Sequence, residues 1–175
     1  MKSTIFIAIL LAVVGIFATA SKSNTDINTA TGDELVWHTD LMKAQDISVA
    51  TKKPIFGFFT GSDWCGWCRK IQADVFAKDE FKKWAKDNVV LLELDFPRGK
   101  QLPTELAQQN QGLQQAFKVS GYPTIWMFYL TKDTTNNQLN IAALGSLGYP
   151  AGSETGKEQV KFLNEANAIL ANGKK

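Results

Sequence analysis

The chain has 175 residues, of which 45% are hydrophobic and 21% charged, with a formal net charge of +2 at neutral pH. That length holds one domain with a full core and leaves too little for a second. So small a net charge offers no basic stripe for nucleic acid and no acidic tail, which leaves shape and chemistry to select partners.

The first twenty residues differ from the rest. Lys2 precedes an apolar run from Ile5 to Phe17, and Ala18-Thr19-Ala20 supplies small residues where a signal peptidase cuts. The pattern predicts a signal peptide over 1–20 rather than a membrane span, for which the run is short. No cysteine follows the small residues, so no lipid anchor is expected there. Residues 21–33 are small and polar and read as a flexible leader. Export to a periplasm or to the outside is the expectation, with one folded domain over 34–171.

Within that domain strands and helices alternate. Leu35-Val36-Trp37 is a short apolar run expected to form an edge strand. Asp40 is placed to cap a helix from Leu41 to about Lys52, with Leu41, Ala44, Ile47 and Ala50 or Val49 on its inner face. Pro54 opens a strand over 55–59, whose unbroken apolar character predicts burial on both faces. A helix then starts at the cysteines and runs to Lys86, interrupted around Ala77-Lys78-Asp79. Val89 to Asp95 is the next strand, ended by Phe96-Pro97-Arg98-Gly99-Lys100. Pro103 suits the first turn of a helix in which Leu106, Leu113 and Phe117 face the core. Gly121-Tyr122-Pro123 turns into a strand over 124–130, a polar hairpin loop covers 133–137, and 139–144 pairs back. A Gly-rich connection leads to a last helix over 157–170, with Val160, Leu163, Ala166 and Ile169 or Leu170 inward. This order predicts an α/β architecture, a central mixed sheet with helices on both faces.

The chemistry concentrates at Cys65 and Cys68, the chain's two cysteines, with Trp64 before them and Gly66-Trp67 between. In an oxidising compartment such a pair often serves as a staple. A bridge enclosing so short a loop constrains the unfolded chain very little, so stabilisation is a poor reason for it. A Cys-x-x-Cys between a strand and a helix start reads instead as a redox dithiol. Other chemistries fail on residue type. A c-type haem site needs His after the second Cys, where Arg69 stands. Zinc needs about four ligands, and the two cysteines with distant His38 fall short. Gly145-Ser146-Leu147-Gly148 lacks the lysine and the strand–loop–helix setting of a phosphate-binding loop. No metal and no cofactor is expected.

The strand into Trp64-Cys65-Gly66-Trp67-Cys68, with Gly121-Tyr122-Pro123-Thr124 entering a later strand, resembles the thioredoxin-like family. Lys53 to Cys68 and Leu94 to Arg98 are similar to its exported members. The resemblance covers about 34–171 and implies a thioredoxin fold and thiol–disulfide oxidoreductase activity. It makes Cys65 the attacking thiolate, favoured by the helix N-terminus, and Cys68 the shielded resolving thiol. It implies a cis peptide bond before Pro123, facing the dithiol and bringing the backbone of Tyr122 alongside to pair with an extended substrate. Trp64, Gly66, Trp67, Tyr122 and Pro123 would form the substrate collar, with Asp63 and Arg69 as flanking charges. The implied partners are protein or small-molecule disulfides and thiols, and a membrane or soluble redox partner that recharges the pair. Reduction of substrates is the favoured direction and a monomer the expected state. One position departs from the family. Thioredoxin carries a buried acid where Phe59 stands, and Glu93 and Asp95 on the next strand are the carboxylates left to serve. The competing reading is a binding module of the same fold whose cysteines stay oxidised.

Overall fold

The computed structural model of the protein describes residues 34–132 and 138–173. The signal peptide over 1–20, the leader over 21–33 and the hairpin loop over 133–137 lie outside them. The elements are α1 (Leu41–Thr51), β1 (Ile55–Thr60), α2 (Gly66–Ile71), a π turn (Gln72–Phe76), α3 (Asp79–Asn88), β2 (Val90–Asp95), α4 (Thr104–Ala116), β3 (Thr124–Lys132), β4 (Leu139–Leu147) and α5 (Glu158–Asn172).

The four strands form one sheet in the order β2-β1-β3-β4. β1 runs parallel to β2 and antiparallel to β3, and β3 and β4 are an antiparallel pair. All six residues of β1 are buried, as an apolar run in the middle of a two-sided sheet must be. Alternation along β1 splits its side chains between two cores. Phe56 and Phe58 join a cluster with Cys65, Cys68, Ile71 and Phe162, while Ile55 and Phe59 join Leu41, Leu113 and Phe117. One face is therefore covered by α2, the π turn, α3 and α5, the other by α1 and α4.

Several local expectations are corrected. Leu35-Val36-Trp37 forms no strand; pairing on that edge shrinks to one bridge, His38 with Leu92. The reason is the turn that follows, where Asp40 caps α1 by accepting the N–H groups of Met42 and Lys43 at 2.8 and 3.1 Å. Trp37 nonetheless packs inward, its ring 5.8 Å from Phe58 and 5.5 Å from Phe76. The inner face of α1 is Leu41, Ala44, Gln45 and Ser48, whereas Val49 is exposed. Ser48 is satisfied by donating to the Lys53 carbonyl, which is why a polar residue is tolerated there. Phe162 and Ala166 are the buried residues of α5, and Val160 faces solvent.

The helix after the cysteines breaks at residues 77–78, within the interruption expected around Ala77-Lys78-Asp79, but a π turn that the periodicity does not predict precedes the break. Ala77 N–H donates to the Gln72 carbonyl at 2.8 Å, closing a π turn before the break at residues 77–78. The extra residue in that turn lets the consecutive Val75 and Phe76 both be buried. Phe76 stacks on Phe81 at 4.6 Å and meets Phe58 edge-on at 5.1 Å, so the widened turn anchors the cysteine-bearing helix in its core.

Candidate active site

At the carboxyl end of β1 the chain turns at Gly61. Its carbonyl accepts the N–H groups of Trp64 at 3.2 Å and Cys65 at 2.8 Å, which winds the chain into α2. Gly61 is required here, because a Cβ at that position would lie 2.4 Å from the Trp64 ring. Cys65 is the N-cap residue of α2, and its Sγ accepts the N–H of Cys68 at 3.1 Å. The two sulfurs are joined in a disulfide, with the Cα atoms 5.2 Å apart. Cys65 keeps 5% of its surface and Cys68 only 1%, so the pair is approached from the Cys65 side.

Trp64 is fixed by four neighbours. Besides Gly61, its indole N–H donates to the Phe96 carbonyl at 2.8 Å, and the edge of Tyr122 meets it at 5.7 Å. The Arg98 guanidinium lies over it, 3.8 Å from the ring centroid. Neighbouring residues clamp the segment after β2 to the active-site loop. Asp63 accepts the backbone N–H groups of Arg98 and Gly99, and Asp95 accepts both the N–H and the hydroxyl of Ser62. Those backbone donors, Arg98 first, hold the Asp63 carboxyl below the usual carboxylate range.

Tyr122 spans the gap between the two cores. Its ring stacks on Phe96 at 5.3 Å and its hydroxyl accepts from Gln114 Nε2 at 2.6 Å. Burial raises its phenol pKa, leaving the ring neutral. The Tyr122–Pro123 peptide bond is cis, and Pro123 is half-buried. Gly66 is open, with nothing within 4 Å of where a Cβ would sit. Trp67 is 58% exposed and leans edge-on against Tyr149 at 5.1 Å. Tyr149 in turn donates to Asp74 Oδ2 at 2.7 Å, and Lys70 bonds the same carboxylate at 2.7 Å. Lys70, then Tyr149, lowers the Asp74 pKa, and Asp74 raises that of Lys70.

The collar residues of the sequence reading are thus split. Trp64 and Tyr122 are in contact with each other, while Trp67 sits apart with Tyr149. Phe96, Arg98, Gln114 and Tyr149 were not singled out as site residues. The Phe-Pro-Arg run was visible, but nothing local told that it folds back over Trp64. Phe59 lies in the core on the face opposite the cysteines, stacked on Phe96 at 6.4 Å. Glu93, in parallel register with Phe58, is on the cysteine face, and burial followed by repulsion from Asp95 raises its pKa. Among the described residues no group of three or more His, Cys, Asp or Glu could hold a metal ion.

The family described as thioredoxin-like domain matches residues 41–134, more than half of the chain. This chain belongs to that thioredoxin-like family. The thioredoxin-like chain is similar to "Disulfide bond reductase DsbH" of Chlamydia pneumoniae, with 42% identity over 83 residues, 47% of this chain and 50% of that protein. It is also similar to "Thioredoxin-related protein DsbJ" of the same organism, 28% identical over 138 residues, 79% of this chain and 38% of that one. The matched region is thus half or less of either curated relative. Among solved structures, "DsbH Oxidoreductase" superposes with a TM-score of 0.64 at 29% identity, covering 87% of this chain and 96% of that one. A thioredoxin from Thermus thermophilus, at 15% identity and a TM-score of 0.53, shares the fold, covering 79% and 89% of the two chains. The thioredoxin fold, with its mixed sheet between helical layers, is the architecture of this chain.

Proposed function

We propose that the protein is an exported thiol–disulfide oxidoreductase that reduces substrate disulfides through Cys65 and Cys68. The observation that carries this reading is the Cys65 sulfur at the N-cap of α2, accepting the Cys68 N–H. Once the pair is reduced, the same amide and the helix dipole favour the thiolate on Cys65, by about 0.3–1 kcal/mol for the dipole alone. That thiolate attacks one sulfur of a substrate disulfide, forming a mixed disulfide and expelling the other sulfur as a thiolate that takes up a proton. Cys68 then gives up its proton and attacks the Cys65 sulfur. This restores the Cys65–Cys68 disulfide and releases the substrate carrying two electrons and two protons. A dithiol donor must return the electrons, so a membrane or soluble redox partner is part of the reading.

Of the two carboxylates on β2 that face the cysteine side, Asp95 is engaged by Ser62 and Lys100. The Glu93 carboxylate makes no hydrogen bond or ion pair among the described residues, and its raised pKa suits it to take the proton of Cys68. Trp64, Tyr122 and the cis Pro123 form the rim against which an extended substrate would lie, with Gly66 and Trp67 at its outer edge. Export rests on the leader pattern, and the reading takes the protein to be a monomer. Among the described residues no helix is long and apolar enough to cross a membrane.

The deciding assay is insulin reduction with a dithiol donor, alongside titration of the pair in glutathione redox buffers. The parent should turn over, Cys65→Ser should be inactive, and Cys68→Ser should accumulate a mixed disulfide. A Cys65→Ser variant indistinguishable from the parent would leave the binding-module reading in its place. The measured potential sets the direction, a value near that of thioredoxin, about −270 mV, marking a reductase.

A further inference from the structure

The charged groups on the elements around the disulfide are not all paired. Three carboxylates there are engaged, and a fourth, Glu93, is half-buried on β2 without a side-chain partner among the described residues. Asp63 is occupied by the backbone N–H groups of Arg98 and Gly99, Asp74 by Lys70 and Tyr149, and Asp95 by Ser62 and Lys100. Two guanidiniums are left over. Among the described residues neither Arg98 nor Arg69 has an ion-pair partner. Arg69 stands one helical turn after Cys65, its N–H donating to the Cys65 carbonyl at 3.2 Å.

Arg98 is the better placed of the two. Its backbone is held by Asp63 and its guanidinium lies over the Trp64 ring at 3.8 Å, on the residue that adjoins Cys65. A guanidinium stacked through its face keeps its N–H edge free, and that edge is the fork that binds a carboxylate with two parallel hydrogen bonds. Stacking also restricts the side chain, so less rotamer freedom is lost when an anion is caught. The Asp63 carboxylate is tied to the backbone beneath Arg98, so the side-chain charge stays open to an incoming group.

We infer that Arg98, stacked on Trp64 with its N–H edge open, is a carboxylate receptor that makes disulfides bearing an acidic group beside the sulfur the preferred substrates. This rests on the oxidoreductase reading and adds to it the chemical class of the substrate. Arg98 is a specificity determinant, and Arg69 extends the same positive field along α2.

The test uses the reduced full chain and three disulfides that differ in charge: oxidised glutathione, which carries carboxylates, neutral hydroxyethyl disulfide, and cationic cystamine. A polypeptide arm compares a peptide disulfide flanked by Glu with the same peptide flanked by Gln. The parent should show a higher kcat/KM on the acidic member of each set, and the ratio should shrink as salt is raised past about 0.1 M. Arg98→Ala should cut the acidic-to-neutral ratio about three- to tenfold, the loss expected for one hydrogen-bonded ion contact at a solvent-exposed site. Arg98→Lys should retain part of it, and Arg98→Glu should shift preference toward cystamine. A dependence confined to glutathione or to the peptide arm supports the inference and identifies the source of the carboxylate. An unchanged ratio in Arg98→Ala overturns it. So does an equal loss on all three disulfides, which would mean that Arg98 acts on Cys65 and not on the substrate. Inactivity of the parent toward even hydroxyethyl disulfide would instead sink the oxidoreductase reading on which the inference stands.

Discussion

Two glycines beside the cysteines do opposite things. Gly61 exists to admit Trp64, since a Cβ there would lie within 2.8 Å of three ring atoms. Gly61→Ala must push the indole aside and strain its bond to Phe96 and its stack with Arg98. We expect it to destabilise the protein by about 1–3 kcal/mol, the usual cost of overpacking, and to change Trp fluorescence in the native state. Gly66 faces open space in the first turn of α2. Gly66→Ala should therefore be neutral or stabilising by up to about 1 kcal/mol, because alanine loses less backbone entropy in a helix. Denaturant midpoints of the two variants, read side by side, check both. A shared loss would mean that the space around Trp64 is not what Gly61 supplies. Sequence alone showed two glycines near a Cys-x-x-Cys; only the position of the indole tells them apart.

At the scale of elements, α4 illustrates what apolar periodicity misses. Leu113 and Phe117 point inward as the spacing predicts, but Leu106 is only half-buried and the fully enclosed residue between them is Asn110. Its Nδ2 donates to the Asp95 carbonyl at 2.9 Å, and its Oδ1 accepts from Gln109. The bond ties α4 to the end of β2, where Asp95 also holds the active-site loop through Ser62. Asn110→Leu removes the donor and leaves a buried carbonyl unpaired, which should lower unfolding free energy by about 1–3 kcal/mol in a urea titration. A variant as stable as the parent would show that α4 is held by Leu113 and Phe117 alone. Periodicity marks faces by hydrophobicity, so a buried amide reads as surface until its partner carbonyl is known. The π turn escaped for a related reason. It exists because Val75 and Phe76 both have core partners, and those partners come from β1, α3 and α5.

For the whole molecule, the titrating groups pull in two directions. Asp63 and Asp74 have lowered pKa values, so their contribution is present above the ordinary carboxylate pKa and fades as pH falls through the folded values. Glu93 has a raised pKa, from burial and then Asp95, so the folded state holds its proton more tightly than the unfolded chain. Its stabilising contribution is complete below about pH 4.3 and is lost as pH rises through the folded value. Glu93→Gln fixes the neutral form, and its thermal midpoint should match the parent near pH 4 and exceed it at pH 7. Parallel midpoints across that range would mean that Glu93 is solvated after all. The sequence by itself determined the α/β order, the two-sided burial of β1 and the pairing of Cys65 with a helix start. Each depends on near neighbours in the chain, through periodicity, capping and turn chemistry. The tertiary structure decided what surrounds the disulfide. It folded Phe96-Pro97-Arg98 over Trp64, stood Tyr149 against Trp67 and turned Phe59 away from the cysteines. Such contacts join residues tens of positions apart, and their geometry is set by packing of the sheet and helices together, which no local pattern encodes.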